Sequence, residues 1–224
     1  MFAVFRGVKL IVINFKNYKS GKEVLKLAKL IQSYFGKTDN VILAVPATEI
    51  QRVSNGVELD VFAQHVDVLE KPQTTGLIGV KAVKSVGGLG TLINHSERRL
   101  AWKEVTALMK ECEEQSVRAL VCIKTYREAK WVLKQTVKPW GVVYEGGSLF
   151  FAEKALTGSR EKEIASFAKL FKHTDVRSLC GVGLFTAKDI KTALDVGCYG
   201  VVLDSAIAKV KKPERFLKSL AIMG

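Results

Sequence analysis

The chain has 224 residues, 48% of them hydrophobic and 25% charged, so it can bury a sizeable core and is not disordered by composition. Its 35 Lys+Arg against 22 Asp+Glu give a net charge of +13. The lysines are spread along polar helix faces instead of forming a dense basic run, and no RNA-binding aromatic motif is visible. The charge therefore reads as a solvated surface that also steers a small anion, and no nucleic-acid partner is expected. No run approaches the roughly 18–20 apolar residues that span a bilayer. The start, MFAVFRGVKLIVINF, lacks a cleavage site and is read as mature protein. Cys112, Cys122, Cys180 and Cys198 have no CxxC or Cys/His spacing, which suits reduced thiols in a cytoplasmic protein and argues against zinc.

Short apolar runs alternate with helical patterns along the whole chain. The runs lie at 9–15, 41–46, 60–66, 91–94, 118–123, 141–145, 178–183 and 200–205. They are rich in Val, Ile and Leu with little alternation, as strands covered on both faces should be. Residues 23–35 place Val24, Leu27, Ala28 and Ile31 on one stripe, and residues 97–114 do the same with Leu100, Val105, Leu108 and Met109. Further helical patterns cover 127–136, 160–172, 187–197 and 213–223. Pro213 suits a first turn and Gly197 a helix end. The weakest helical segments lie near 47–56 and 77–86. No linker splits the chain, so one domain over 1–224 is expected. Eight β-then-α units in this length predict a closed (β/α)8 barrel. An open doubly wound sheet is the alternative, but its glycine fingerprint does not follow the first run, where Asn14-Phe15-Lys16 stands instead.

In such a barrel the chemistry gathers at the C-terminal ends of the strands. The polar residues there are Asn14 and Lys16, Gln64 and His65, Asn94 and His95, Glu145, Gly181 and Gly183, and Asp204 and Ser205. Each also has a plain structural explanation. Asn14 and Lys16 fit an ordinary loop, and a lone histidine is usually a satisfied core residue. Gly181 and Gly183 fit a tight turn. Asn94-x-x-Glu97 resembles a capping box. Glu145 is harder to dismiss, because a carboxylate closing an apolar strand is costly unless it is paired or used.

Taken together, NFKNYK, AQHVD followed by TTG, NHSERR and VYEGG resemble the triosephosphate isomerase family, particularly its shorter archaeal form. The resemblance implies a phosphosugar isomerase without metal or cofactor, working through an enediolate. Carried over by motif, it makes Glu145 the base and His95 the neutral imidazole that polarises the carbonyl. Lys16 becomes the cation facing oxyanion and phosphate, Asn14 the amide beside it, and Glu97 an acid near the lysine. Neutrality of that ring is a known property of the family, attributed to the following helix N-terminus. Here a helix from residue 97 is expected to supply it. Gly181, Gly183 and Ser205, with Lys16 and Asn14, are the expected phosphate receptors. Gln64 and Thr75 match positions that in the family support the site and the neighbouring subunit, and loop 65–79 resembles the loop that inserts into a partner, so a homodimer or homotetramer is expected.

Two stretches depart from the family pattern. The segment after Glu145 reads Gly-Gly-Ser-Leu-Phe-Phe, where the family's lid usually starts with prolines. Gly-Gly is costlier to order, at roughly 1–2 kcal/mol per residue fixed. The two phenylalanines fit either a seal against water or an apolar anchor, and Gly158 fits a turn. Asp204 stands where a small neutral residue is usual, and is expected to cap the following turn or pair with a lysine such as Lys209. Both departures suggest weaker substrate binding or a slower lid. Other readings are a different phosphosugar isomerase on the same fold, or a basic nucleic-acid-binding or scaffold protein.

Overall fold

The computed structural model describes residues 9–146 and 159–222. The strands are β1 (Ile11–Asn14), β2 (Val41–Val45), β3 (Asp60–Ala63), β4 (Gly90–Ile93), β5 (Arg118–Ile123), β6 (Gly141–Tyr144), β7 (Arg177–Cys180) and β8 (Gly200–Leu203). All are parallel and pair in chain order, and β8 closes on β1 with Val201 opposite Ile11. Each strand coincides with an apolar run expected to form one, with β4 and β7 starting one residue earlier, at Gly90 and Arg177.

The helices are α1 (Lys22–Phe35), α2 (Ile50–Ser54) after a 3-10 turn, α3 (Val80–Ser85), α4 (Trp102–Glu114), α5 (Tyr126–Lys134), α6 (Ser159–Phe171), α7 (Ala187–Asp195), α8 (Ser205–Ala208) and α9 (Glu214–Ile222). The weakly patterned segments form the short helices α2 and α3. Gly197 follows α7 at φ +104°, the left-handed geometry of a helix end. The largest departure is α4, which starts at Trp102 and not at Glu97. Asn94 takes φ +62°, and residues 95–98 form a separate turn closed by the Arg98 N–H on the His95 carbonyl at 2.8 Å.

Two apolar layers follow from the two faces of each strand. Ile11, Ile13, Val41, Leu43, Val121 and Val142 point outward under the helices. Leu10, Val12, Ile42, Ala44, Phe62, Leu92, Leu120, Cys122, Val143 and Leu179 fill the barrel. The Phe62 ring sits where only a glycine leaves room, because a Cβ on Gly90 would lie 2.4 Å from it. Below that ring, Arg118 stacks on Phe62 and Trp140, and Arg177 stacks on Trp140 and Tyr199. These planes fill the N-terminal mouth with side chains. All four cysteines are buried and free. No helix among the described residues is long and apolar enough to cross a membrane.

Candidate active site

The inward alternation runs on past the strand ends. Two residues beyond Val12 comes Asn14, beyond Phe62 Gln64, beyond Leu92 Asn94, beyond Val143 Glu145, and beyond Val202 Asp204. The same period of two that fills the barrel with hydrocarbon thus places amides and carboxylates in its top layer. Lys16 continues the β1 series through a strained backbone, φ +45°. Asn14 Oδ1 accepts the Lys16 N–H at 3.0 Å, and Gln64 Nε2 donates to the Lys16 carbonyl at 3.0 Å. Gln64 is therefore an intramolecular brace for the lysine. The ammonium of Lys16 lies 3.1 Å from Glu97 Oε1 and 2.9 Å from Asp204 Oδ2. Burial alone would lower its pKa, but these two carboxylates outweigh burial and raise it, so the lysine stays charged.

His95 is out of phase with the inward series, and the left-handed turn at Asn94 brings it in. The expected capping box does not form. Asn94 Oδ1 accepts the Leu100 N–H at 2.9 Å, while its Nδ2 donates to the Cys122 carbonyl at 3.0 Å. With α4 starting at Trp102, the Glu97 N–H does what the helix end was expected to do. It donates to His95 Nδ1 at 3.2 Å. A ring nitrogen that accepts cannot carry a proton, so the neutral ring presents Nε2–H. Burial first, and the Lys16 charge after it, lower the ring's pKa against the pull of Glu97 and Asp204.

Glu145 Oε1 lies 3.3 Å from His95 Nε2, and its Oε2 lies 3.0 Å from Arg99 Nη2. The carboxylate is 2% exposed. Burial pushes its pKa up to about 7, against the opposing pull of Arg99, the Cys122 thiol and the Ser96 amide. A carboxyl near 7 can take and return a proton at neutral pH. Just before it, the Tyr144 hydroxyl donates to Glu163 of α6 and the ring stacks on Phe167, which fixes β6 against that helix.

The expected phosphate receptors divide. The Gly181 N–H donates to the Tyr144 carbonyl at 2.9 Å and is committed to the sheet. A Cβ there would come within 2.6 Å of Val143, so packing explains this glycine. Gly183 has φ +72°, the left-handed region. The Ser205 N–H faces the Asp204 carboxylate. Asp204 does cap its following turn, but its lysine is Lys16 and not Lys209. Residues 147–158, with the two phenylalanines and Gly158, lie outside the described residues. Thr75 is exposed, as are Leu69 and Leu77 on the same loop. Arg98 clamps the base of that loop by donating to His65 at 2.7 Å and Asp67 at 2.8 Å. At the site itself, a cavity of about 500 Å³ is lined by Asn14, Lys16, Gln64, His65, His95 and Glu97. Arg98 and Arg99 are the participants that reading the sequence left without a role. The signal for Arg99 was the buried acid at 145, which required a cation. Among the described residues no His, Cys, Asp or Glu cluster could hold a metal ion.

The protein thus sets a buried base, a ring N–H donor and an ammonium around the mouth of a parallel barrel. This group can abstract a proton beside a carbonyl and hold the resulting oxyanion. Among solved structures, triosephosphate isomerase from Bartonella henselae superposes with a TM-score of 0.73 over 96% of this chain and 99% of that one, at 17% identity, which speaks to the fold alone. Among relatives, the triosephosphate isomerase of Metallosphaera sedula is 32% identical over 94% of this chain and 93% of its own. That of Methanosarcina mazei is 32% identical over 96% and 98%. The triosephosphate isomerase family model matches residues 9–139. By these matches, over a closed eight-stranded barrel, the chain belongs to the triosephosphate isomerase family.

Proposed function

We propose that the protein interconverts dihydroxyacetone phosphate and D-glyceraldehyde 3-phosphate, a step of glycolysis and gluconeogenesis, with Glu145 as the base. The observation that carries this reading is the contact of a buried carboxyl near pKa 7 with the N–H of a neutral imidazole beside a lysine. The substrate enters by parting Glu145 from His95. Glu145 takes a proton from the carbon beside the carbonyl. His95 Nε2–H donates to the carbonyl oxygen, and Lys16 and the Asn14 amide steady the negative charge of the enediolate. His95 then gives its Nε2 proton to that oxygen and takes the proton of the neighbouring hydroxyl, and Glu145 returns its own proton to the former carbonyl carbon, which completes the isomerisation without redox partner or cofactor. Glu97 orients Lys16 and, through its N–H, keeps His95 in the donating tautomer. Lys16, Gly183 and Ser205 receive the phosphate.

The exposed loop carrying Leu69, Thr75 and Leu77 suits a homodimer or homotetramer. Four buried free thiols suit the cytoplasm. A coupled assay in both directions tests the reading. Glu145→Ala should lose about 10²–10⁴-fold in kcat, the contribution of a positioned base. Absence of isomerisation, or a Glu145→Ala protein as active as wild type, refutes it.

A further inference from the structure

Asp204 stands at the end of β8 and belongs to no part of the mechanism above. Its Oδ2 lies 2.9 Å from Lys16 Nζ, and its Oδ1 accepts the Ser205 N–H. These are two of the donors that a bound phosphate would use. Lys16 already carries Glu97 at 3.1 Å. Two carboxylates therefore already share this ammonium, and a dianion arriving there competes with both for it. Burial would raise the Asp204 pKa, but Lys16 and the Ser205 donors hold it below the usual range, so the group is ionised at neutral pH.

We propose that Asp204 is a specificity-determining residue that acts as an internal competitor at the phosphate subsite, so that a phosphosugar binds only by displacing its carboxylate from Lys16 and Ser205. This rests on the assignment of that subsite under the proposed function. The geometry gives the carboxylate one oxygen for each donor, the same contacts that two phosphate oxygens would make. The side chain is also 37% exposed, so it can turn outward to solvent when displaced. The competition discriminates between ligands. A ligand with a full dianionic phosphate can displace a single carboxylate, whereas a carboxylate or sulfonate ligand offers no charge advantage over Asp204.

A capping residue and a competitor predict different behaviour for Asp204→Asn. The asparagine keeps an oxygen for the Ser205 N–H and loses the charge on Lys16. Titration with inorganic phosphate, followed by calorimetry on the full chain, reads the difference without any turnover. Asp204→Asn should bind inorganic phosphate at least tenfold more tightly than wild type, and adding Lys16→Met should abolish the gain. Asp204→Ser, which also keeps a capping oxygen, should show the same tightening and guards against a folding artefact in the first variant. Unchanged or weaker phosphate affinity in both single variants overturns the proposal. The two readings fail separately. Tightened phosphate binding in a protein without isomerase activity supports the role of Asp204 and refutes the isomerase. Full isomerase activity with no change in phosphate affinity does the reverse.

Discussion

Arg99→Gln should move the acid limb of the pH–rate profile upward. Arg99 Nη2 stands 3.0 Å from Glu145 Oε2, and the guanidinium side chain is 33% exposed. At an effective dielectric of about 20, unit charges at that distance attract by roughly 5 kcal/mol before solvent is considered. The exposed part of the guanidinium and its own desolvation remove more than half of this, leaving about 1.5–3 kcal/mol. At about 1.4 kcal/mol per pKa unit, the Glu145 pKa rises by roughly one to two units. Starting from about 7, it reaches the range of 8–9. The ionised fraction at pH 7 then falls from about half to about 1–10%, so kcat/KM falls roughly five- to fiftyfold there and recovers toward pH 9 or 10. The profile of kcat/KM reports the free enzyme, where the ion pair is seen. The phosphate's own ionisation near pH 6 is common to both proteins and cancels in the comparison. The same substitution also removes the 2.8 Å bond from Arg99 to the Asn94 carbonyl, a loss that is constant with pH and so is separable from the shift of the limb. An acid limb displaced by less than half a unit, so that the whole loss is constant with pH, would refute the account of Arg99 as the group restraining Glu145.

Two further predictions concern stability. Because the Glu145 pKa rises on folding from 4.5 to about 7, the folded chain binds more protons than the unfolded chain between those values. Its contribution is complete below pH 4.5 and is lost as pH rises through 7, a fall of about 3 kcal/mol at about 1.4 kcal/mol per unit. Glu145→Gln should remove that part of the pH dependence in urea melts, and parallel curves for the two proteins would contradict it. Gly90→Ala places a Cβ 2.4 Å from the Phe62 ring and should cost about 1–3 kcal/mol of unfolding free energy. Adding Phe62→Leu should recover part of it, and no recovery would mean that the clash lies elsewhere.

The barrel was legible because most of its strands lie in apolar runs rich in Val, Ile and Leu, and a strand covered on both faces leaves that trace in one dimension. Asn14, Lys16, His95 and Glu145 were legible as polar residues ending those runs. What escaped depends on closure and backbone sign. Residues 97–101 share the spacing of the helix that follows, but the backbone turns left-handed at Asn94 and is extended at Ala101 before α4 starts, and single backbone angles leave no periodic mark. Lys209 is the nearer lysine to Asp204 in sequence. Lys16 is the nearer in space, because β8 lies against β1. The Gly181 N–H reads as a free donor until the stagger of β7 on β6 gives it the Tyr144 carbonyl.

The placement of the reacting groups in step with the hydrocarbon filling makes the enzyme tolerant in one way and brittle in another. Asn14, Glu145 and Asp204 form the top layer of the filling, so exchanging one of them for another polar side chain leaves the hydrocarbon beneath in place. Deleting a single residue from β6 would instead rotate the whole segment by half a turn, driving Tyr144 into the mouth and Glu145 out among the helices. Chemistry on this scaffold can therefore drift by substitution, while the length of each strand is held rigid.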